Sequence, residues 1–184
     1  NTSGAVNAAT VTTLTGGAAA ANTAYASSGI SGLGNESVTL SDTSVAASVL
    51  NTLDGNTSGQ VYAATVNTLT GAAAVVITSY NSSGISGLGE EAVTLSDTSL
   101  ASSVLNNLND HTSGAVNAST VTTLTGLAAD ANTAYAYGGI TGLGNEAVTI
   151  SDTSLAVATL NTLDDHTSGA VNAATVTTLT GGAA

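Results

Sequence analysis

Two histidines occupy the same place in a repeated sequence, and each follows one or two aspartates. Asp110 precedes His111, and Asp164-Asp165 precede His166. Asp and His together serve as metal ligands or as acid–base pairs. The alternative is a solvated turn at the C-terminus of a helix, where a His is tolerated. We favour the turn, because the two other copies of this position carry Asn.

Two further rows of carboxylates recur at fixed spacing. One row contains Asp42, Asp97 and Asp152, and the other contains Glu36, Glu91 and Glu146. Hard cations prefer carboxylate and carbonyl oxygens, so either row is a candidate set of Ca²⁺ ligands. We favour helix N-caps for both rows, because one carboxylate per repeat is sparse coordination and the glycine-rich calcium nonapeptide is absent. We therefore predict no catalytic, cofactor-binding or metal-binding residues, with Ca²⁺ as the alternative cofactor.

Hydroxyl and amide side chains offer two other kinds of candidate. Thr10-Val11-Thr12 has the Thr-x-Thr pattern of ice-binding repeat proteins, although Thr is also a common strand residue. Sequons that accept N-linked sugars in a eukaryotic secretory route occur at Asn1, Asn35, Asn56, Asn81 and Asn117. No local constellation supplies a nucleophile with a base and an orienting acid, so we predict that the protein is not an enzyme.

The composition excludes several classes of partner. The 184 residues include no Lys, Arg or Cys and 12 acidic residues, for a formal net charge of −12. Nucleic-acid binding needs Lys and Arg on phosphates, and an anionic membrane surface repels this chain. No apolar stretch approaches the ~18 residues of a membrane-spanning helix. With 42% apolar and 7% charged residues, the chain has enough aliphatic side chains to fold.

A long internal repeat positions all these candidates. The segment that begins at Asn1 returns at Asn56, His111 and His166. The chain therefore divides into repeats 1–55, 56–110 and 111–165 and a partial repeat, 166–184. A weaker half-repeat runs from Gly4 to Gly32 to Gly59, which predicts strand–helix modules of ~27 or 28 residues.

Each module combines a helix with a strand. Residues 44–53 carry apolar side chains on one helical face, with Asp42-Thr43 as N-cap residues before them and Gly55 as the stop after them. The Ala-rich residues 18–26 predict the second helix, which ends near Gly29 and carries Tyr25.

Short β-branched runs at residues 11–14 and 38–40 predict the strands. Alternating strands and helices predict an α/β solenoid of stacked modules, with parallel strands on one face and helices on the other. An all-β solenoid is the alternative. We expect Asn7 and Asn35 to form ladders of side-chain amides along the stack.

The repeats resemble those of very large secreted bacterial surface proteins. The runs Ala-Val-Thr-Leu-Ser-Asp-Thr-Ser-Leu and Ser-Gly-Ala-Val-Asn-Ala-Ala-Thr-Val-Thr-Thr-Leu-Thr-Gly are similar to repeats of giant marine cyanobacterial proteins and of adhesins of the type I secretion class. The resemblance implies an acidic, Cys-free, extracellular protein that is often associated with calcium.

The repeats and this resemblance together predict an extracellular structural or adhesive protein that forms an elongated rod or filament on the cell surface. Its expected partners are itself, through end-to-end or lateral stacking, and surface glycans. The alternative is a binding module that uses the Thr-rich strand face for glycan, ice or Ca²⁺.

Overall fold

The computed structural model describes residues 4–181, and the chain divides into two compact units, Asn1–Ala92 and Val93–Ala184. We call them the N-terminal half and the C-terminal half. In both halves, short parallel strands alternate with helices. This confirms the prediction of an α/β repeat fold, and the helices exclude the all-β alternative for the described residues.

The N-terminal half contains three helices among its described residues: α1 (Ala18–Tyr25), α2 (Ala47–Asn56) and α3 (Ala73–Asn81). Its complete strands are β1 (Val6–Asn7), β2 (Thr13–Gly16), β3 (Ile30–Ser31), β4 (Ser37–Leu40), β5 (Ser44–Ala46), β6 (Val61–Tyr62), β7 (Thr68–Gly71) and β8 (Ile85–Ser86). The parallel ladders are β1–β3, β2–β4–β6–β8 and β5–β7. Helix α2 packs against both α1 and α3.

The C-terminal half repeats this arrangement. Its described helices are α4 (Ser102–Asn109), α5 (Ala128–Ala136) and α6 (Val157–His166). Its strands are β9 (Ala92–Leu95, which begins at the last residue of the N-terminal half), β10 (Ser99–Ala101), β11 (Val116–Asn117), β12 (Thr123–Gly126), β13 (Ile140–Thr141), β14 (Ala147–Ile150), β15 (Ser154–Ala156), β16 (Val171–Asn172) and β17 (Thr178–Thr180). The parallel ladders are β9–β11–β13, β10–β12–β14–β16 and β15–β17. Helix α5 packs against both α4 and α6.

The core lies between the strands and the helices of each half. Val38 and Leu40 on β4 are buried while Thr39 between them is exposed, because successive strand residues point to opposite faces. Leu50 and Leu53 on α2 are fully buried on the facing side. Each such leucine stabilises the fold by roughly 2–5 kcal/mol relative to alanine.

Ladder partners and helices follow different spacings along the chain. In the ladder, Thr13 pairs with Ser37, and Val38 pairs with Val61. Helices α1, α2 and α3 begin at Ala18, Ala47 and Ala73, so each step between helices is longer than the corresponding step between ladder partners. The number of residues between a ladder strand and the helix that follows it therefore increases with every module along the ladder. As a result, a ladder spans only a few modules before its strands no longer accompany the helices.

Several predicted boundaries are wrong. The helix expected at residues 44–53 begins at Ala47, because Ser44–Ala46 pairs with Thr68–Thr70 as strand β5. Gly55 does not stop this helix, which continues to Asn56. The Ala-rich helix expected to end near Gly29 ends at Tyr25. The strand expected at residues 11–14 is Thr13–Gly16. Pairing with a strand of the next module decides both starts, and a single module's own periodicity does not contain that information.

Candidate functional site

The Asp row caps helices of the preceding module. Oδ2 of Asp42 accepts the backbone N–H of Ala18, the first residue of α1, at 2.7 Å. Asp152 does the same for Ala128, the first residue of α5, at 2.8 Å. The prediction that Asp42 caps a helix is correct, but the predicted helix is wrong. The N-cap residue of α2 is Ala46, and no side chain forms a cap bond there.

The Glu row binds tyrosines and loop amides. Oε2 of Glu36 accepts the Tyr25 hydroxyl at 3.0 Å and the Gly34 N–H at 2.8 Å, and Glu36 is fully buried. The prediction that this row caps helices is therefore wrong, because each carboxylate closes the loop that precedes a strand. The same contacts recur at Glu146, from Tyr135 and Gly144, and at Glu91, from Tyr80 and Gly89.

Within the Tyr25–Glu36 pair, the two pKa values shift in opposite directions. Burial raises the pKa of Glu36, but hydrogen bonds from the backbone N–H groups of Gly34, Asn35 and Glu36 and from the Tyr25 hydroxyl together lower it by more, so the net pKa lies below its usual value. Burial raises the pKa of Tyr25 and Tyr135, and the neighbouring carboxylates add to the increase. At neutral pH the pair is a carboxylate with a neutral phenol donor. Tyr25 and Glu36 each recur at a fixed position of the repeat, but their separation of 11 residues does not predict that their side chains are in contact.

Both histidines lie at the ends of helices. His166 is the last residue of α6, and its ring stacks on Tyr135 with ring centroids 5.3 Å apart and an interplanar angle of 13°. His111 follows α4 in a turn. The neighbouring Asp110 accepts a hydrogen bond from the Tyr137 hydroxyl at 3.1 Å, which raises the pKa of Tyr137.

Between residues 4 and 181, no three His, Cys, Asp or Glu side chains form a group that could hold a metal ion. The environment of Glu36 explains why this row does not resemble a calcium site. Its contacts are N–H and O–H donors, whereas Ca²⁺ requires several oxygens that donate electron pairs. In Glu36 and in Glu146, the other carboxylate oxygen, Oε1, is buried and has no hydrogen-bond partner among the described residues.

The Thr-x-Thr triplet does not lie on a strand. Thr10 lies in a turn before β2. Its equivalent Thr65 donates its hydroxyl to the carbonyl oxygens of Leu40 and Asp42, both at 3.0 Å. A different triplet, Thr13-Leu14-Thr15, does lie on a strand, with both threonines exposed. Thr120 and Thr175 each make the same two hydrogen bonds to carbonyl oxygens of the preceding module.

The prediction of side-chain amide ladders from Asn7 and Asn35 is wrong, and other asparagines connect neighbouring modules through backbone carbonyls. Asn7 accepts the Ala9 N–H within its own turn, and Asn35 is exposed. The recurrence of Asn at helix positions is the signal that could have found the right ones. The inter-module amides lie on helices and donate to backbone carbonyls: Asn22 to Val49, Asn51 to Val75, Asn106 to Asp130 and Asn132 to Thr159.

The sequons differ in accessibility. Asn35, Asn81 and Asn117 are exposed, while Asn56 is half-buried and donates its amide to Asn22 at 2.9 Å. Asn1 lies outside the described residues.

The N-terminal half contains a polar cavity of about 390 Å³. Its lining includes Ala64, Asn67, Gly87, Glu90 and Glu91. The first two residues follow β6 and the others follow β8. Since β6 and β8 are paired and parallel, their C-terminal ends meet at one edge of the sheet and the cavity forms there.

Comparison with known proteins gave no assignment: no protein-family model, curated protein or solved structure matches this chain. Across residues 4–181, no helix has both the length and the apolar character needed to cross a membrane.

Proposed function

We propose that this chain is an extracellular structural or adhesive repeat protein whose modules stack as an α/β solenoid into a rod or filament. One observation carries the proposal: the recurring polar side chains bond to a neighbouring module. Asp42 reaches back 24 residues to Ala18, and Thr65 reaches back 25 residues to Leu40. Asn22 reaches forward 27 residues to Val49. The repeated chemistry serves the contact between modules, as expected for a stacked repeat.

The apolar residues support the same proposal. Leu124 is fully buried, but Leu179 at the equivalent position of the next repeat is 54% exposed. Leu124 belongs to β12, which pairs with β10 on one side and β14 on the other, whereas β17 pairs only with β15 among the described residues. Leu124 is therefore buried by pairing with modules on both sides, which supports stacking as the source of the apolar core.

Particle length tests this proposal. Chains containing two, three, four and six copies of the repeat would be compared by electron microscopy and small-angle scattering. We expect particle length to rise by a constant increment per repeat while the cross-section stays constant. A particle that remains compact, with a diameter that grows only slowly with mass, would contradict the proposal.

The proposed location at the cell surface rests on the resemblance and on the composition. The chain has 12 acidic residues and no Cys, features that the resemblance associates with secreted surface proteins. Antibodies against the chain should label intact source cells, and external protease should remove that label before lysis. Labelling only after permeabilisation would overturn the proposed location.

A further inference from the structure

The second repeat differs from the other copies at several positions, and four of these changes share one feature. Gln60 replaces Ala, Tyr62 replaces Asn, Asn67 replaces Thr and Glu90 replaces Asn. Each change introduces a longer side chain or one with more hydrogen-bonding groups. The residues replaced are Ala5, Ala115 and Ala170; Asn7, Asn117 and Asn172; Thr12, Thr122 and Thr177; and Asn35 and Asn145.

The structure brings these departures to one place. Asn67 and Glu90 both line the 390 Å³ cavity after β6 and β8. Tyr62 is the last residue of β6, shortly before the cavity wall begins, and is 47% exposed. Gln60 immediately precedes β6. Three of the replaced positions, Tyr62, Asn67 and Glu90, therefore lie at or after the C-terminal ends of two neighbouring strands, and Gln60 lies just before the start of β6.

Backbone geometry fixes the shape of this cavity. Gly87 has a φ of +85°, and a Cβ built on it would lie 2.8 Å from the Ala64 nitrogen. The two loops therefore approach as closely as a glycine permits. The carboxylate of Glu91 is held by the Tyr80 hydroxyl and by the N–H groups of Gly89 and Glu90, so it forms part of the wall.

The groups around the cavity suit a neutral, hydroxyl-rich ligand. The cavity volume lies in the range of about 300–1,000 Å³ typical of small-ligand sites. Asn67 can both donate and accept hydrogen bonds, and Glu90 can accept them from ligand hydroxyls. Tyr62 offers an apolar ring face and a polar hydroxyl. Anionic ligands are disfavoured, because the chain carries a net charge of −12 and no Lys or Arg.

We infer that this cleft, lined by Asn67 and Glu90 and preceded in the chain by the exposed Tyr62, is a binding site for neutral saccharides. This inference rests on the proposed adhesive function and specifies the class of ligand that the adhesive protein binds. A sugar ring packs its C–H face against Tyr62 while its hydroxyls bond to Asn67 and Glu90. Repeats without these residues act as spacers.

Affinity electrophoresis tests the inference with the full chain. Native gels would contain dextran, mannan, galactomannan or hydroxyethyl cellulose, with alginate as the anionic comparison. We expect at least one neutral polysaccharide to retard the chain and alginate to leave it unretarded. A variant with Gln60→Ala, Tyr62→Asn, Asn67→Thr and Glu90→Asn should bind at least about tenfold more weakly. Each new residue already occupies the same position in another repeat, so the variant should fold.

The matched control moves the site into the third repeat. Ala115→Gln, Asn117→Tyr, Thr122→Asn and Asn145→Glu together should add a second site and increase retardation. Absence of retardation by every neutral polysaccharide overturns the inference, as does equal retardation of the variant in the second repeat. Particle length should be the same for both variants and the parent, so failure here is distinguishable from failure of the structural proposal.

Discussion

The carboxylate of Asp42 caps the N-terminus of α1 from the following module, with Oδ2 accepting the Ala18 N–H at 2.7 Å. Helix α1 has only eight residues, and an isolated helix of that length is unstable in water. The cap therefore links formation of α1 to docking of the next module. Such links between neighbours make a repeat array fold cooperatively even though each module is small.

Removing this cap should destabilise α1 in particular. We expect Asp42→Ala to lower the free energy of unfolding by about 1 kcal/mol, and Asp42→Asn to lower it less, because Asn also caps helices. Urea denaturation measures the change, and amide hydrogen exchange locates it at the start of α1. Replacing the exposed Thr43 with Ala should leave exchange in α1 unchanged. Faster exchange at Ala47 instead of Ala18 would contradict the assignment.

One helix contact is satisfied in the first repeat but not in the second. Asn51 donates to the Val75 carbonyl and accepts the Ser79 hydroxyl at 2.6 Å. Asn106 is its equivalent, but Ala134 stands where Ser79 would be, and Oδ1 of Asn106 is buried without a hydrogen-bond partner among the described residues. We expect Ala134→Ser to raise the free energy of unfolding by about 1 kcal/mol.

The reverse change provides the control for this pair. Ser79→Ala should destabilise the protein by about 1–3 kcal/mol, because it leaves Oδ1 of Asn51 buried without its donor. Thermal and urea unfolding of both single variants measure the effects. If Ala134→Ser destabilised the protein as much as Ser79→Ala, the proposed geometry at Asn106 would be wrong.

The Tyr25–Glu36 pair predicts how stability varies with pH. The folded pKa of Glu36 is lowered, so its contribution is present above its unfolded pKa of about 4.3 and is lost as pH falls through the folded value. The folded pKa values of Tyr25 and Tyr135 are raised. Their contribution is present below about pH 10 and is lost as pH rises through the folded values. Urea midpoints measured against pH should fall at both limits.

A Tyr25→Phe variant tests the coupling within that pair. Loss of the hydroxyl removes a donor to a buried carboxylate and should cost about 1.5–3 kcal/mol at neutral pH. The pKa of Glu36 should rise, which moves the acid limb to higher pH. Tyr62→Phe alters an exposed tyrosine and should leave both limbs in place. An acid limb that is identical in Tyr25→Phe and the parent would exclude the coupling.

Periodicity is enough to predict the repeat, the alternation of strands and helices and the positions of the polar rows. It does not predict which module each polar side chain contacts. Asp42 precedes α2 in sequence, so a local reading makes it the cap of α2, yet its partner lies 24 residues earlier. The helical periodicity of residues 44–53 likewise predicts a helix where β5 lies, because the pairing of β5 with β7 depends on residues more than 20 positions away. Residues that recur in every repeat do not indicate the cavity near Tyr62, because the cavity lies at positions where the second repeat differs from the others.

The two classes of threonine should respond differently to removal of the hydroxyl. Thr65→Val loses bonds to the carbonyls of Leu40 and Asp42, and we expect a loss of about 1 kcal/mol. Thr39→Val alters an exposed strand residue and should be close to neutral, because valine is a good strand former. Urea denaturation of the two variants provides the comparison. Equal destabilisation by both would mean that the Thr65 bonds do not contribute.

Salt should stabilise the chain, and calcium should add little beyond its ionic strength. A net charge of −12 without Lys or Arg produces repulsion that dissolved ions screen. The carboxylates of Asp42 and Asp152 already accept helix N–H groups, and Oε2 of Glu36 accepts the Tyr25 hydroxyl and the Gly34 N–H. We therefore expect equal increases in thermal midpoint from NaCl and CaCl₂ at matched ionic strength. A saturable increase specific to CaCl₂, accompanied by stoichiometric binding in equilibrium dialysis, would show that one of the rows binds calcium after all.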